Sequence, residues 1–459
     1  MSTTADIDIP LIVVGAGAAG MMAALVAAGR GTEVLLLEKS VHRGTNTQLS
    51  GGLLQAAGTR FQKELGIEDT WELMAADIIE ANGGECDTAL VEAVCRRSAD
   101  YVHFLADTVG LDLHLDATAQ WGHSRLRMHT NPDAQGATLI RALREAIAGN
   151  ELITFVDEAV ITGLLVEDGR VRGVSRETGS GVEEFRSLAV ILACGGFGAN
   201  RELLAQHCPE ALDAVYIGSD TMTGDGIALA SEAGADLAWM GSWQGHAHVN
   251  EAHGSHLSGA VPYLGGIMVD RSSRRFSCEE KGYSELSVEL LQQPERFVVE
   301  IFDQRIATAL EGNGVQQEAV HAGAVKGPIE LPDLAAAFGL DLTALTEELD
   351  RYNAAARGEA EDPQGRTKYL AELTAPFYGA RITGGLCHTQ GGLRIDETGA
   401  VLTKDGSPIP GLLAAGGAAA GISGSNFRGY TSGNGLAHAF STGLICAETA
   451  ARQIDAVAV

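Results

Sequence analysis

An α/β fold with a parallel sheet at its centre is predicted by three observations in this chain of 459 residues. Leu11-Ile-Val-Val14 is a β-type run that leads straight into Gly15-Ala-Gly17-Ala-Ala-Gly20 and an Ala-rich helix reaching about Ala28. Val34-Leu-Leu-Leu37 is a second apolar strand, closed by Glu38. Hydrophobic residues make up 45% of the chain and 58 residues are glycine, so a large core and many tight turns are expected. Strand, helix and strand in this order form a βαβ unit, the building block of parallel sheets.

The first turn carries the chemistry. Gly15 makes the tight turn, Gly17 lets backbone approach a pyrophosphate, and Gly20 lets helix and strand pack closely. The helix N-terminus supplies partial positive charge to phosphates, and Ala18 and Ala19 are its first residues. Glu38 stands where ribose hydroxyls are bound. The whole context, and not the glycines alone, predicts dinucleotide binding.

Composition narrows the partners. Lys+Arg 32 against Asp+Glu 60 gives a net charge of −28, which argues against nucleic acid and anionic membranes. No apolar run reaches about 18 residues, the length of a membrane span. The stretch Met1 to Pro10 has Asp6 and Asp8 and no basic segment, so no signal peptide is expected. The seven cysteines (86, 95, 194, 208, 278, 387, 446) contain no CxxC, which fits reduced thiols, a cytoplasmic location and no structural metal.

Further segments resemble one family. Lys39 and Thr45-Asn46-Thr47-Gln48-Leu49-Ser50-Gly51-Gly52 follow Glu38; Gly195 and Gly196 end the run Ala189–Phe197; Thr223-Gly-Asp225-Gly-Ile227 and Pro410-Gly-Leu-Leu-Ala-Ala-Gly416 come later. In this order they resemble the fumarate reductase/succinate dehydrogenase flavoprotein superfamily across nearly the whole chain. The resemblance implies a Rossmann-type FAD-binding domain, discontinuous over 1–238 and 365–459, with an inserted α+β capping domain over 239–364. It implies that Lys39, Thr45, Asn46, Thr47, Ser50, Gly51, Gly52, Gly195, Gly196, Asp225 and Gly416 join Gly15, Gly17, Ala18, Ala19, Gly20 and Glu38 around FAD. Members with covalent flavin use a histidine where this chain has Thr45, so FAD is expected to be non-covalent. Gly417 replaces the Glu that usually ends the late motif.

Secondary-structure signals complete the outline. Leu164–Val174 with Glu167-Asp-Gly169 reads as a hairpin, and Leu342–Ala355 as a helix capped by Asp341. There is no second complete GxGxxG after a strand and no paired-cysteine redox motif. Electrons are therefore expected to pass directly between substrate and flavin, with an external acceptor closing the cycle.

The candidate reacting residues also rest on the resemblance. His246 in Gln244-Gly-His246 matches a histidine that binds a substrate carboxylate or carbonyl; His388 in Cys387-His388-Thr-Gln-Gly391-Gly392 matches another. After Arg275-Phe276, Tyr283 stands where fumarate reductases have a proton-donating arginine, and Gly259 and Pro262 stand where they have the other relay residues. Tyrosine there resembles 3-ketosteroid dehydrogenases, in which it takes a proton from carbon; its pKa must then be lowered. Tyr430-Thr-Ser432-Gly433 resembles a segment of those enzymes whose Tyr hydrogen-bonds the ketone, and Ser432, Gly433, Asn434 and Leu436, at the start of the helix that points at the flavin, are expected to bind FAD. Arg428 is a candidate carboxylate clamp. Arg125-x-Arg127-x-His129 is a further candidate for flavin, substrate or ion-pair contacts. A metal site from His246, His248, His253 and His256 fits no strong ligand spacing. Two tyrosines for a ketone and two histidines plus Arg428 for a carboxylate suggest a desaturase of a small cyclic keto acid such as 4-oxocyclohexanecarboxylate. The alternatives are a reductase of an unsaturated acid such as fumarate or urocanate, a ketosteroid dehydrogenase, and a non-catalytic flavin carrier.

Overall fold

The computed structural model describes residues 9–118, 121–252 and 254–458. Met1 to Asp8, on which most of the signal-peptide expectation rests, and His253 lie outside these residues. The strand β1 (Ile9–Val14), the helix α1 (Ala18–Ala28) and the strand β2 (Val34–Leu37) form the expected βαβ unit. β1 runs parallel to β2 on one side and to the strand Gly181–Leu192 on the other. Ile153–Val156 extends the sheet beyond β2, and Pro408–Ala414 extends it beyond Gly181–Leu192, both in parallel. Leu11 to Val14 and all of β2 are buried, which is why these strands read as unbroken apolar runs.

All of α1 is buried between this sheet and the long helix Asn434–Ala458. Small side chains permit the approach: a Cβ on Gly443 would lie 2.4 Å from the Ala19 carbonyl oxygen. The hairpin joins Gly163–Glu167 to Arg170–Thr178, with Asp168 (φ 49°) and Gly169 (φ 73°) both left-handed at its turn.

A second sheet carries the substrate end of the molecule. Its central strand is Phe377–Thr389, paired antiparallel with Trp243–Asn250, Val298–Asp303 and Val325–Ile329, and parallel with Val215–Tyr216. Helices Tyr283–Leu291, Leu331–Phe338 and Leu342–Ala356 belong to this region; the Asp341 carboxylate caps the last of them, accepting from Ala344 N at 2.7 Å. Most of these elements fall within 239–364. The central strand falls after it and Val215–Tyr216 before it, because a sheet is completed by pairing partners that a linear boundary does not register. Among the described residues no helix is long and apolar enough to cross a membrane.

Candidate active site

The nucleotide end is built from the first βαβ turn. Gly15 N donates to Leu37 O at 2.7 Å with φ 106°, and a Cβ there would lie 2.5 Å from Ala193 O. A Cβ on Gly20 would lie 1.8 Å from Gly15 O, so only glycine allows helix and strand this close. Gly20→Ala is therefore expected to displace the turn and lower bound flavin per polypeptide several-fold, measured from the ratio of flavin to protein absorbance. A Cβ on Gly17, by contrast, meets no atom within 4 Å and faces open cavity.

The polar residues around this turn are held by backbone groups, except Lys39, which two side chains hold. The Glu38 carboxylate accepts from Ala16 N (2.6 Å) and Ser40 N (2.9 Å) at the end of β2. Lys39 Nζ donates to Thr223 Oγ1 (2.9 Å) and Asp225 Oδ2 (2.8 Å), tying the T-G-D segment to the ribose end. Thr45 Oγ1 caps the short helix Asn46–Leu49, and Thr47 Oγ1 accepts from Ala18 N at 3.2 Å. Asn46 Oδ1 accepts from Ser219 N at 2.7 Å, and Ser50 Oγ accepts from Gly52 N at 3.2 Å.

A cavity of about 440 Å³ joins this end to the second sheet. Gly15, Gly17, Ala18, Ala19, Glu38, Lys39, Thr45, Asn46, Thr47, Ser50, Gly51, Gly195, Gly196, Asp225, Gly416, Gly433 and Leu436 line it, as do His246, Tyr283, His388 and Tyr430. Gly20, Gly52, Ser432 and Asn434 are not on its wall. The open space over Gly17, the start of α1 on the cavity wall and the carboxylate at the end of β2 fit FAD. The residues that would hold it are those around the first turn, the Thr45–Gly51 segment, Gly195–Gly196 and the start of the last helix.

At the far end, five rings cluster. Tyr283, the first residue of its helix, is 5.3 Å from His246 and 6.0 Å from Tyr430, centroid to centroid. His388 lies 5.8 Å from Tyr430, and His256 stacks on His246 at 5.3 Å. Gly435 N donates to Tyr430 Oη at 3.2 Å, and the Tyr430 hydroxyl is also bonded to that of Tyr283. His248 N donates to His246 Nδ1 at 3.2 Å, so His246 Nε2 carries the ring proton. Sequence reasoning missed His256 as a wall residue; only its place among nearby histidines hinted at it.

Burial sets the electrostatics here. It pushes His256 and His388 down to about 4 and His246 well below the ordinary value, so all three are neutral at pH 7. The neighbouring His256 and His248 depress His246 further. Burial raises the Tyr283 phenol, with the Ser432 and Tyr430 hydroxyls pulling against it. The expected lowering of Tyr283 is thus corrected: hydroxyl partners oppose burial but do not overcome it. Cys387, another wall residue, is pushed up to about 12 by burial.

Two candidates stand elsewhere. Arg428 is not on the cavity wall; its side chain is 64% exposed and lies 3.6 Å from Glu285. It sits on a short turn whose backbone is held by Asn426, which directs the side chain to solvent, so the carboxylate-clamp expectation is corrected. Arg127 is fully buried between Asp69 and Asp77, and His129 is bonded to Thr59 at 2.8 Å, so this run forms structural ion pairs. Arg125 is engaged by Glu68 O and Ser124 O. His248 Nδ1 pairs with Glu300 Oε1 at 2.8 Å, and among the described residues no group of three metal-ligating side chains is assembled.

Comparison with known proteins gives consistent matches. The model of the FAD binding domain family matches residues 10–436. The probable fumarate reductase Ifc3 of Shewanella frigidimarina is 30% identical over 450 residues, covering 96% of this chain and 74% of that protein. The 3-oxosteroid 1-dehydrogenase of Mycobacterium tuberculosis is 26% identical, covering 92% of this chain and 95% of that protein. The open conformation of a flavocytochrome c3 fumarate reductase superposes with TM-score 0.79 at 29% identity, covering 97% of this chain and 78% of that one.

Proposed function

The chain belongs to the FAD binding domain family and is a flavin-dependent oxidoreductase acting on CH–CH groups; from this premise we propose that it is a dehydrogenase placing a C=C bond in conjugation with a ketone. The observation that carries this reading is the pairing of Tyr283 with Tyr430 on the cavity wall, Tyr430 being backed by the Gly435 N–H. Bound FAD supplies the acceptor for a hydride.

The chain's own groups do the rest. Tyr430 turns its O–H from Tyr283 to the ketone oxygen and stabilises the enolate as charge develops there. Tyr283 takes the α proton. Burial favours its protonated form, so it acts as base in its ionised form, which the Ser432 hydroxyl stabilises by donating to it, and it later releases the proton to solvent. Ser432 Oγ is buried and has no other hydrogen-bond partner among the described residues.

The finer expectation was a cyclic keto acid. Its ketone half is supported by the two tyrosines. Its carboxylate half rests on His246 and His388, both neutral, now that Arg428 lies outside the wall. Reduction of an unsaturated acid is the second reading, favoured by the fumarate reductase relatives and disfavoured by the same lack of charge. The external electron acceptor and the small-molecule carbonyl substrate remain parts of the proposal.

The test is the visible spectrum of anaerobic, FAD-loaded protein. Bleaching of the oxidised flavin band by 4-oxocyclohexanecarboxylate or by a 3-oxosteroid is the expected result. Reoxidation of pre-reduced protein by fumarate, with no bleaching by any ketone, would replace this reading by the second.

A further inference from the structure

We propose that the buried pair His248–Glu300 makes the histidine end of the cavity selective for an uncharged ketone with a second oxygen function, and against carboxylates. The proposal rests on the desaturase reading and specifies its substrate class. Glu300 and His248 are 0% and 1% exposed, and Glu300 Oε1 takes the Nδ1 proton at 2.8 Å. A histidine–carboxylate pair is either anionic or neutral. In neither state does it present net positive charge.

The pair lies directly behind the wall. The His248 ring meets the His246 ring edge-on at 5.5 Å. Gly259, a wall residue, fills the angle between them: a Cβ there would lie 3.8 Å from His248 Cδ2, 3.9 Å from His246 Nε2 and 3.7 Å from Tyr283 Cδ1. A substrate group bound to His246 Nε2–H therefore lies on one side of the His248 ring, whose Nδ1 holds the Glu300 carboxylate. Low polarity makes that charge felt strongly.

No cation compensates. The charged or titratable groups around His246 are His248, His256, Tyr283 and Glu300, with His388, Cys387 and Tyr430 beyond. Among the described wall residues Lys39 is the one Lys or Arg, at the ribose end and bonded to Asp225. The residues outside the description contain neither Lys nor Arg. A neutral carbonyl, hydroxyl or amide oxygen can take the His246 proton as a hydrogen bond at no cost in charge. A carboxylate there must either face Glu300 or bring a proton with it.

The experiment compares two near-isosteric probes, 4-oxocyclohexanecarboxamide and 4-oxocyclohexanecarboxylate. Binding to FAD-loaded protein at pH 8 is measured by calorimetry and flavin bleaching is followed separately. The amide is expected to bind at least about tenfold more tightly. Glu300→Gln should shrink this ratio at least threefold, chiefly by tightening the acid. Gly259→Lys, whose Cβ would make only ordinary van der Waals contacts and which places a cation beside His246, should reverse the preference and serves if E300Q does not fold. Equal or tighter binding of the acid by the unaltered protein overturns the proposal, as does a ratio that neither variant moves or the failure of both probes to bind. Binding with the expected ratio but without bleaching would instead count against the desaturase reading.

Discussion

Tyr283→Phe is expected to lower kcat for flavin reduction by about 10²–10⁴-fold while FAD stays bound, because the phenyl ring keeps the packing and loses only the proton acceptor. The ring packs within contact of His246 and Tyr430, so Phe preserves the wall. Substrate affinity should change little, since no bond of Tyr283 to a ground-state oxygen is required by the mechanism. Stopped-flow bleaching of the flavin band, with the flavin-to-protein ratio as control, reads both quantities. A rate within threefold of the unaltered protein would remove Tyr283 from the chemistry. The pH profile gives a second reading with a fixed sign. Burial raises the Tyr283 phenol, so the rate should still be rising above pH 9, where an ordinary phenol begins to ionise.

The second large effect concerns stability. Arg127 is fully buried and its guanidinium bonds Asp69 at 2.7 and 2.8 Å and also Asp77. Arg127→Met would strand two carboxylates, one of them fully buried, at a cost of about 3–5 kcal/mol. Denaturant unfolding should show a large loss of stability, with the rate of flavin reduction at low temperature nearly unchanged. The opposite pattern, a stable protein with a lost reaction, would return Arg127 to the functional candidates.

Residue patterns and structure agree best where a local rule decides the geometry. Gly15 and Gly20 are legible because any Cβ would strike the backbone, and the strand and helix flanking them are set by local pattern. Asp341 and the Asp168-Gly169 turn are legible for the same reason. Arg428 was misplaced because family spacing does not tell which way a short turn points its side chain. His256 and Glu300 were not legible, since each becomes relevant only when distant strands pair.

The sequence by itself therefore determined the nucleotide-binding half, because a βαβ turn is written in some thirty consecutive residues whose steric demands are local. It also determined which residue types were available for chemistry. Only the tertiary structure decided the charge of the site. Pairing of Trp243–Asn250 with Phe377–Thr389, and of Val298–Asp303 beside it, buries Glu300, sets the half-buried His246 and His388 on the cavity wall and leaves Arg428 in solvent. Burial is a property of the assembled sheet and not of any segment. It turns histidines that looked like carboxylate ligands into neutral hydrogen-bond donors.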